Sequence, residues 1–316
     1  MLKIRGLEKR YGKNPALSGL DMEVKEGAVY GLVGRNGAGK TTAMKIMAGL
    51  ICPDKGEVKI GGRDIISEAE EIKERIGYVP DYCGFYNNLT VEEYMDFFSA
   101  AYGWKGLKGR KSWLRLIERV GLQDKLYHTV DELSRGMQQR LCLARGLIHD
   151  PVFLIMDEPT SGLDPASSYE FRNLIKSLGS EGKTILISSH MLAELSEICT
   201  DIGIIDHGRM IVSGSLNHIL RQVEYSNPIK ISILDGVSSA LAVFRNNPGV
   251  RTISRSGHTF MLNFDGDRKD EADLLRELIE MEIPVREFVR EPGDLESFFM
   301  QTINHREERT ILENDY

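Results

Sequence analysis

No stretch of the 316-residue chain approaches the roughly 20 consecutive apolar residues that a membrane-spanning helix needs, so no integral membrane segment is expected. Cysteine is scarce. Its four residues, Cys52, Cys83, Cys142 and Cys199, lack the close spacing of a zinc site and are expected as separate reduced thiols of a cytosolic chain. Met1–Gly12 alternates charged with apolar residues and has no continuous apolar core of the kind a secretory signal carries. Fixed-period repeats and low-complexity tracts are absent too. Excess positive charge is also missing: the formal net charge is -7, and from Tyr225 onward 11 Lys/Arg stand against 17 Asp/Glu. So acidic a region is repelled by phosphate backbones and anionic lipid, which argues against nucleic acid as a partner.

What is present is ordinary for a globular protein, with 41% hydrophobic and 28% charged residues. The length suits about two domains of roughly 150 residues each. Over the first two thirds, apolar runs alternate with amphipathic stretches, the pattern of an α/β domain. Ala28–Val33 is a short apolar run closing on glycines, and Thr41–Leu50 after it has helical spacing. Val152–Met156 and Thr184–Ser188 are continuous apolar runs, as expected of parallel strands buried on both faces. Between Tyr82 and Leu133 the spacing turns helical, with helices expected over Val91–Tyr102 and Ser112–Gly121. Asp201–Asp206 and Met210–Ser213 read as a hairpin. Composition shifts around Glu224–Pro228, where a domain boundary is expected. Beyond it come Ile229–Leu234, Ser238–Asn246, Val250–Ser254, Thr259–Phe264, Asp270–Met281 and Val285–Val289, in the βαββαβ order of a small ferredoxin-like unit. The last of its helices is expected to bury Ala272, Leu275, Leu278 and Ile279.

The residues that carry chemistry sit at the ends of the buried runs. Gly34–Arg35–Asn36–Gly37–Ala38–Gly39–Lys40–Thr41 fits G-x-x-x-x-G-K-[ST] between a strand and a helix. Its glycines let successive N–H groups wrap an anion, and the helix start adds its positive dipole end. Lys40 then reaches the β- and γ-phosphates, and the Thr41 hydroxyl is placed to ligate Mg²⁺. Asp157 and Glu158 follow Val152–Met156, at the carboxyl end of a strand, where open α/β sheets bind ligands. The first carboxylate suits Mg²⁺, and the second suits deprotonating an attacking water. Alone the pair is as well read as a solvated strand end, and beside a phosphate loop the catalytic reading dominates. His190 ends a second buried strand and is placed to sense a γ-phosphate, although an isolated histidine there is more often satisfied by backbone. Leu133–Ser134–Arg135–Gly136–Met137 opens a helix whose inner face is Leu141, Ala144, Leu147 and Ile148. Ser134 reads as an N-cap, and a capped, glycine-containing helix start is also a phosphate site. Since Lys40 already marks one such site, a second calls for another nucleotide.

In this order the four motifs resemble the nucleotide-binding domain of ATP-binding cassette (ABC) transporters, over about Met1–Gly214. Walker A is Gly34–Thr41, the signature Leu133–Met137 and Walker B Val152–Glu158, with the D-loop running on to Asp164 and His190 at the switch position. The resemblance implies a P-loop NTPase fold of ABC type over residues 1–224, with a helical subdomain at about 82–133. Residues 225–316 then form a small α+β, ferredoxin-like accessory domain. It further implies a head-to-tail dimer, preferably of two copies, with ATP and Mg²⁺ between the Walker A loop of one domain and Ser134–Gly136 of the other. Gly34, Arg35, Asn36, Gly37, Ala38, Gly39, Lys40, Thr41 and Thr42 are the implied nucleotide contacts, joined by Asp164 and by Tyr11, an aromatic placed to stack on adenine. Glu158 and His190 become the catalytic pair, and Thr41, Asp81 and Asp157 the metal side.

Two positions depart from the family pattern. Asp81 occupies the slot usually held by glutamine, where it can accept from a Mg²⁺-bound water but not donate. The signature reads LSRGM where LSGGQ is common, so Arg135 brings a cation near the nucleotide and Met137 loses an amide; tuning of rate or coupling is expected. Without a membrane span of its own, the chain needs a permease on another polypeptide. That permease would dock a short helix between the helical subdomain and the segment after Asp81, placing the chain at the cytoplasmic face of the cell membrane. The motifs and the added domain are similar to ATP-binding subunits of bacterial ABC-2-type exporters, and Glu291–Phe299 resembles their EP-x-LE-x-x-F element. Export is therefore the expected direction, and the cargo is not legible. Two other readings stay open: a soluble ABC protein of DNA repair or translation, and a regulatory module that closes on ATP without turnover.

Overall fold

The computed structural model describes residues 1–86, 88–220 and 227–290. The chain divides into two compact units, Met1–Ser215 and Leu216–Tyr316. Much of the stretch expected to hold the boundary, and all of Glu291–Phe299, lie outside the described residues.

The first unit opens with β1 (Leu2–Tyr11) and β2 (Asn14–Val24), and β3 (Val29–Val33) leads through the phosphate loop into α1 (Lys40–Met47). β4 (Lys55–Ile60), β5 (Arg63–Asp64), α2 (Ala69–Lys73) and β6 (Ile76–Val79) follow, then α3 (Val91–Ala101), α4 (Gly106–Arg119) and α5 (Arg135–Gly146). β7 (Phe153–Met156), α6 (Pro165–Ser180), β8 (Thr184–Ser189) and α7 (Leu192–Ser196) come next, and the hairpin of β9 (Asp201–Asp206) and β10 (Arg209–Ser215) closes the unit.

Six strands form the central sheet in the order β10-β9-β3-β8-β7-β6, parallel from β9 to β6 with β10 antiparallel at one edge. β3, β7 and β8 are buried at every residue, which is why they read as mainly apolar runs, although β8 also buries Thr184, Ser188 and Ser189. β8 lies between β3 and β7, so the loops leaving their carboxyl ends open side by side, where α/β sheets hold ligands.

A second sheet, antiparallel in the order β2-β1-β4-β5, has no counterpart in the sequence reading. The register of β1 on β2 shifts between Ile4 and Leu7, Leu7 and Glu8, and Lys9 and Arg10. Each shift breaks the alternation of inward and outward residues that would announce a strand. Leu2, Ile4 and Leu7 still reach the core that contains Leu32, Ile155 and Leu186.

α3, α4 and α5 pack around Tyr94, Trp113, Ile117, Leu141 and Ala144, a core that extends past residue 133 into the signature helix. The Trp113 indole donates to Asp96 Oδ1 at 2.7 Å, satisfying its one polar atom. α4 starts ahead of the expected Ser112 because its first turns carry two glycines and one leucine, too few apolar residues to show a period. The buried Cys83 and Cys142 are neighbours, with Cα atoms 6.4 Å apart, where the sequence shows four scattered cysteines. Their separation of 59 residues gave no sign of this proximity.

The second unit comprises β11 (Ile229–Ile233), α8 (Val237–Asn246), β12 (Val250–Ser256), β13 (Thr259–Phe264), α9 (Arg268–Glu280) and β14 (Val285–Arg290). Its sheet runs β12-β13-β11-β14, antiparallel throughout, so the described residues have the βαββαβ order read from the sequence. It has its own core around Ile231, Phe244, Phe260, Leu274 and Leu278. α9 is rotated from the expected face: Leu274 and Leu278 are buried one turn apart, while Ile279 is 61% exposed.

Candidate functional site

β3 delivers the phosphate loop to the carboxyl edge of the central sheet. Gly37 and Gly39 take φ values of 84° and 107°, which glycine adopts without strain. A Cβ on Gly39 would also fall 2.5 Å from the Ala16 carbonyl oxygen. Lys40, the first residue of α1, is only 4% exposed. Its Nζ donates to the carbonyl oxygens of Gly34 at 2.7 Å and Arg35 at 3.2 Å, and lies 3.1 Å from Glu158 Oε1. A buried ammonium is tolerated because acceptors surround it.

Glu158 leaves β7 in left-handed backbone with φ of 44°, an uncommon conformation for a non-glycine residue. Its amide donates to Ser188 Oγ at 2.9 Å, and that hydroxyl donates to Asp157 Oδ1 at 2.8 Å. On its other side Glu158 Oε2 is 2.9 Å from His190 Nδ1. Burial works against the charge of Glu158, yet the bonds from His190 and Lys40 outweigh it and hold the carboxyl below its usual value. Asp157 goes the other way. Burial pushes its carboxyl up against the pull of the Ser188 and Thr41 hydroxyls, and the charges of Glu158 and Asp81 push in the same direction as burial. Asp81 is exposed, but its charge also reaches the Tyr78 phenol, raised first by burial and then by Asp157 and Asp81. Ser188 was not singled out in the sequence. The available signal was a hydroxyl inside a fully buried strand, which must find a partner.

The structure thus brings Lys40, Thr41, Asp157, Glu158 and His190 together, with the charge of Asp81 reaching Asp157. Thr41 and Asp157 are hard oxygen donors suited to Mg²⁺, and a cation there would offset both the burial of Asp157 and the smaller push from the charges of Glu158 and Asp81. Among the described residues no group of three or more His, Cys, Asp or Glu forms a metal cage by itself. A cleft of about 480 Å³ opens beside Glu158, lined also by Ser161, Gly162, His190 and Glu194.

The side chains of the other candidates lie outside this hydrogen-bonded group, which Gly34 and Arg35 join only through their carbonyl oxygens. Arg35, Asn36 and Gly37 form the exposed crest of the loop, with Ala38 buried beneath and Thr42 half-buried in α1. Tyr11 ends β1 with 53% exposure. Ser134 caps α5, accepting from the Met137 amide at 3.3 Å, and Gly136 behind it is buried. Asp164 caps α6, accepting from the Ala166 and Ser167 amides and from Ser167 Oγ at 2.6 Å. These bonds, with the Ser167 hydroxyl foremost, hold its carboxyl below the usual range.

Residues 17–161 match the family model described as ABC transporter. The Nod factor export ATP-binding protein I of Ralstonia nicotianae is 32% identical over 303 residues, covering 95% of this chain and 93% of that protein. The bacitracin transport ATP-binding protein BcrA of Bacillus licheniformis is 39% identical over 70% of this chain and 72% of its own length. Among solved structures, the dimeric structure of a bacterial ABC transporter cassette superposes with a TM-score of 0.63 at 27% identity, over 68% of this chain and 99% of that one. These relatives carry transport names, favouring that reading over repair or translation. With the phosphate loop, the paired carboxylates and His190 side by side on a fold of this kind, the chain belongs to the ABC transporter family as an ATP-binding, ATP-hydrolysing subunit.

Proposed function

We propose that this subunit drives export through a separate permease, and that it turns over MgATP only when two copies close head to tail. The observation that carries the reading is the bonding of Lys40, Glu158 and His190 into one group at the ends of β3, β7 and β8. ATP would occupy the loop Gly34–Thr42, with Tyr11 against adenine and Ser134–Gly136 and Asp164 of the second copy closing over the phosphates. Lys40 would then exchange Glu158 for the β- and γ-phosphates. Glu158, released from its cation and still held by His190, accepts a proton from the attacking water while His190 orients it. Thr41 and Asp157, with Asp81 nearby, would hold Mg²⁺, whose charge offsets that of the phosphates.

The permease would seat a helix in a groove of about 440 Å³ lined by Tyr78, Phe98, Tyr102 and Arg145. Exposed aromatics lie in and around this helical region: Tyr82, Tyr86, Phe97, Tyr102 and Trp104. Docking there makes the subunit peripheral at the cytoplasmic face of the membrane. Residues 1–224 act as the ATPase domain, and 225–316 as an accessory domain for contact between copies. Export is supported by the names of the relatives. Sedimentation of the Glu158→Gln protein with and without ATP, alongside wild-type phosphate release, tests the reading. An ATP-dependent dimer is expected, and a monomer at saturating ATP would refute it.

A further inference from the structure

Arg135 stands in the signature loop, yet its side chain is bonded back to its own chain's D-loop. Its Nη2 donates to the Ser161 carbonyl oxygen at 2.9 Å, a charge-assisted bond. The next residue, Gly162, has φ of 68°, and a Cβ there would lie 2.6 Å from Arg135 Nη1, so glycine is what admits the guanidinium. A second contact keys the same two segments together. A Cβ on Gly136 would lie 2.5 Å from Ser167 Oγ, the hydroxyl that donates to Asp164. From Ser161 the connection continues, because its amide donates to the Glu158 carbonyl oxygen at 3.1 Å. That bond closes a turn on Glu158, already held in left-handed backbone. Arg135 is therefore one bond from the turn that aims the Glu158 carboxylate at Lys40 and His190.

We infer that Arg135 is a positioning residue that couples the two ATP sites of the dimer. The inference rests on the head-to-tail arrangement proposed above. In that arrangement the signature loop of one copy meets the nucleotide held by the other. Arg135 rides on the first turn of α5, so a shift of that turn toward the partner's nucleotide draws the Ser161 carbonyl with it. The Ser161–Glu158 turn moves in consequence, and each site's water-activating carboxylate responds to nucleotide at the other. A glycine at this position, as in the common signature, has no side chain to make such a link.

The test compares wild type, Arg135→Ala and Arg135→Lys for ATP hydrolysis as a function of ATP concentration. Sedimentation of each Glu158→Gln counterpart with ATP runs beside it. The wild type should be sigmoidal, with a Hill coefficient between about 1 and 2. Arg135→Ala should fall to a Hill coefficient of about 1. Its kcat should drop about tenfold through misplacement of Glu158, with the half-saturating ATP concentration changed far less. Arg135→Lys keeps a cationic donor and should recover part of the cooperativity. Because Arg135 is exposed, neither variant removes core packing, and thermal melts near that of wild type are expected. Wild-type cooperativity in Arg135→Ala overturns the coupling, as does a hyperbolic wild type that still dimerises. Loss of the ATP-dependent dimer in Arg135→Ala alone also overturns it, because the residue would then act as an interface contact. If the unmodified Glu158→Gln protein fails to dimerise, it is the head-to-tail reading itself that falls.

Discussion

Lys40 has an acceptor for each of its three ammonium protons, and their removal or replacement has readable effects. ATP phosphates must compete with the Gly34 and Arg35 carbonyls and with Glu158 for the same ammonium. Lys40→Ala should weaken ATP binding by about 2–3 kcal/mol, measured by calorimetry, because a charge-assisted contact to phosphate is lost. Unchanged affinity would remove Lys40 from the nucleotide site. Glu158→Gln keeps the shape of the side chain and removes the proposed base, so hydrolysis should slow about 10²-fold or more while ATP still binds. The same variant reports on acid stability. The folded-state carboxyl of Glu158 is held below its unfolded value, so its stabilising contribution is complete above the ordinary carboxylate range. That contribution fades as pH falls through the depressed folded value. Urea titrations should show a flatter acid limb for Glu158→Gln, and an unchanged limb would mean that the contacts with Lys40 and His190 add nothing. Asp81→Gln should alter the Mg²⁺ dependence of turnover more than ATP affinity, and superimposable Mg²⁺ titrations would make Asp81 a bystander. The residues named here were legible because a phosphate loop and a strand-end carboxylate pair have fixed local spacing. Ser188 and the Arg135–Ser161 bond were not, since a sequence states which groups can bond but not which carbonyl lies within reach.

Elements were legible in proportion to their regularity. β3, β7 and β8 declared themselves by burial on both faces, whereas β1 and β2 were hidden by register shifts, and α4 by a start poor in apolar residues. The groove between α3, α5 and β6 shows what the helical cluster adds. Tyr102 stacks on His149 with ring centroids 4.2 Å apart, and the Arg145 guanidinium lies 5.2 Å from the Phe98 ring. Aromatic and arginine side chains held this way are the usual anchors of a docked helix. Tyr102→Asp should therefore reduce co-purification of the subunit with its permease about 30-fold, as expected for loss of one anchor. Full retention on the permease would place the docking surface elsewhere.

At the scale of the whole molecule, the second unit encloses its own core and carries no phosphate loop. A protein ending at Glu224 keeps the entire central sheet. It should bind ATP as the full chain does and show weaker dimerisation or weaker coupling to transport. Sedimentation and phosphate release compare the two, and loss of nucleotide binding in a folded truncated protein would contradict an accessory role. The strand order has a further consequence, which concerns synthesis. β3 pairs with β8 and β9 alone, Val29 opposite Ile185 and Tyr30 opposite Asp201. The strand that carries the phosphate loop thus leaves the ribosome long before either neighbour exists. At roughly 5–20 residues per second, the wait lasts about 8–30 s. Throughout it, a strand that is fully buried in the folded protein has no partner edge, the condition in which nascent chains are prone to aggregate. A ribosome stalled before β8 should hold a chain that cannot retain ATP, and one stalled well past β10 a chain that can.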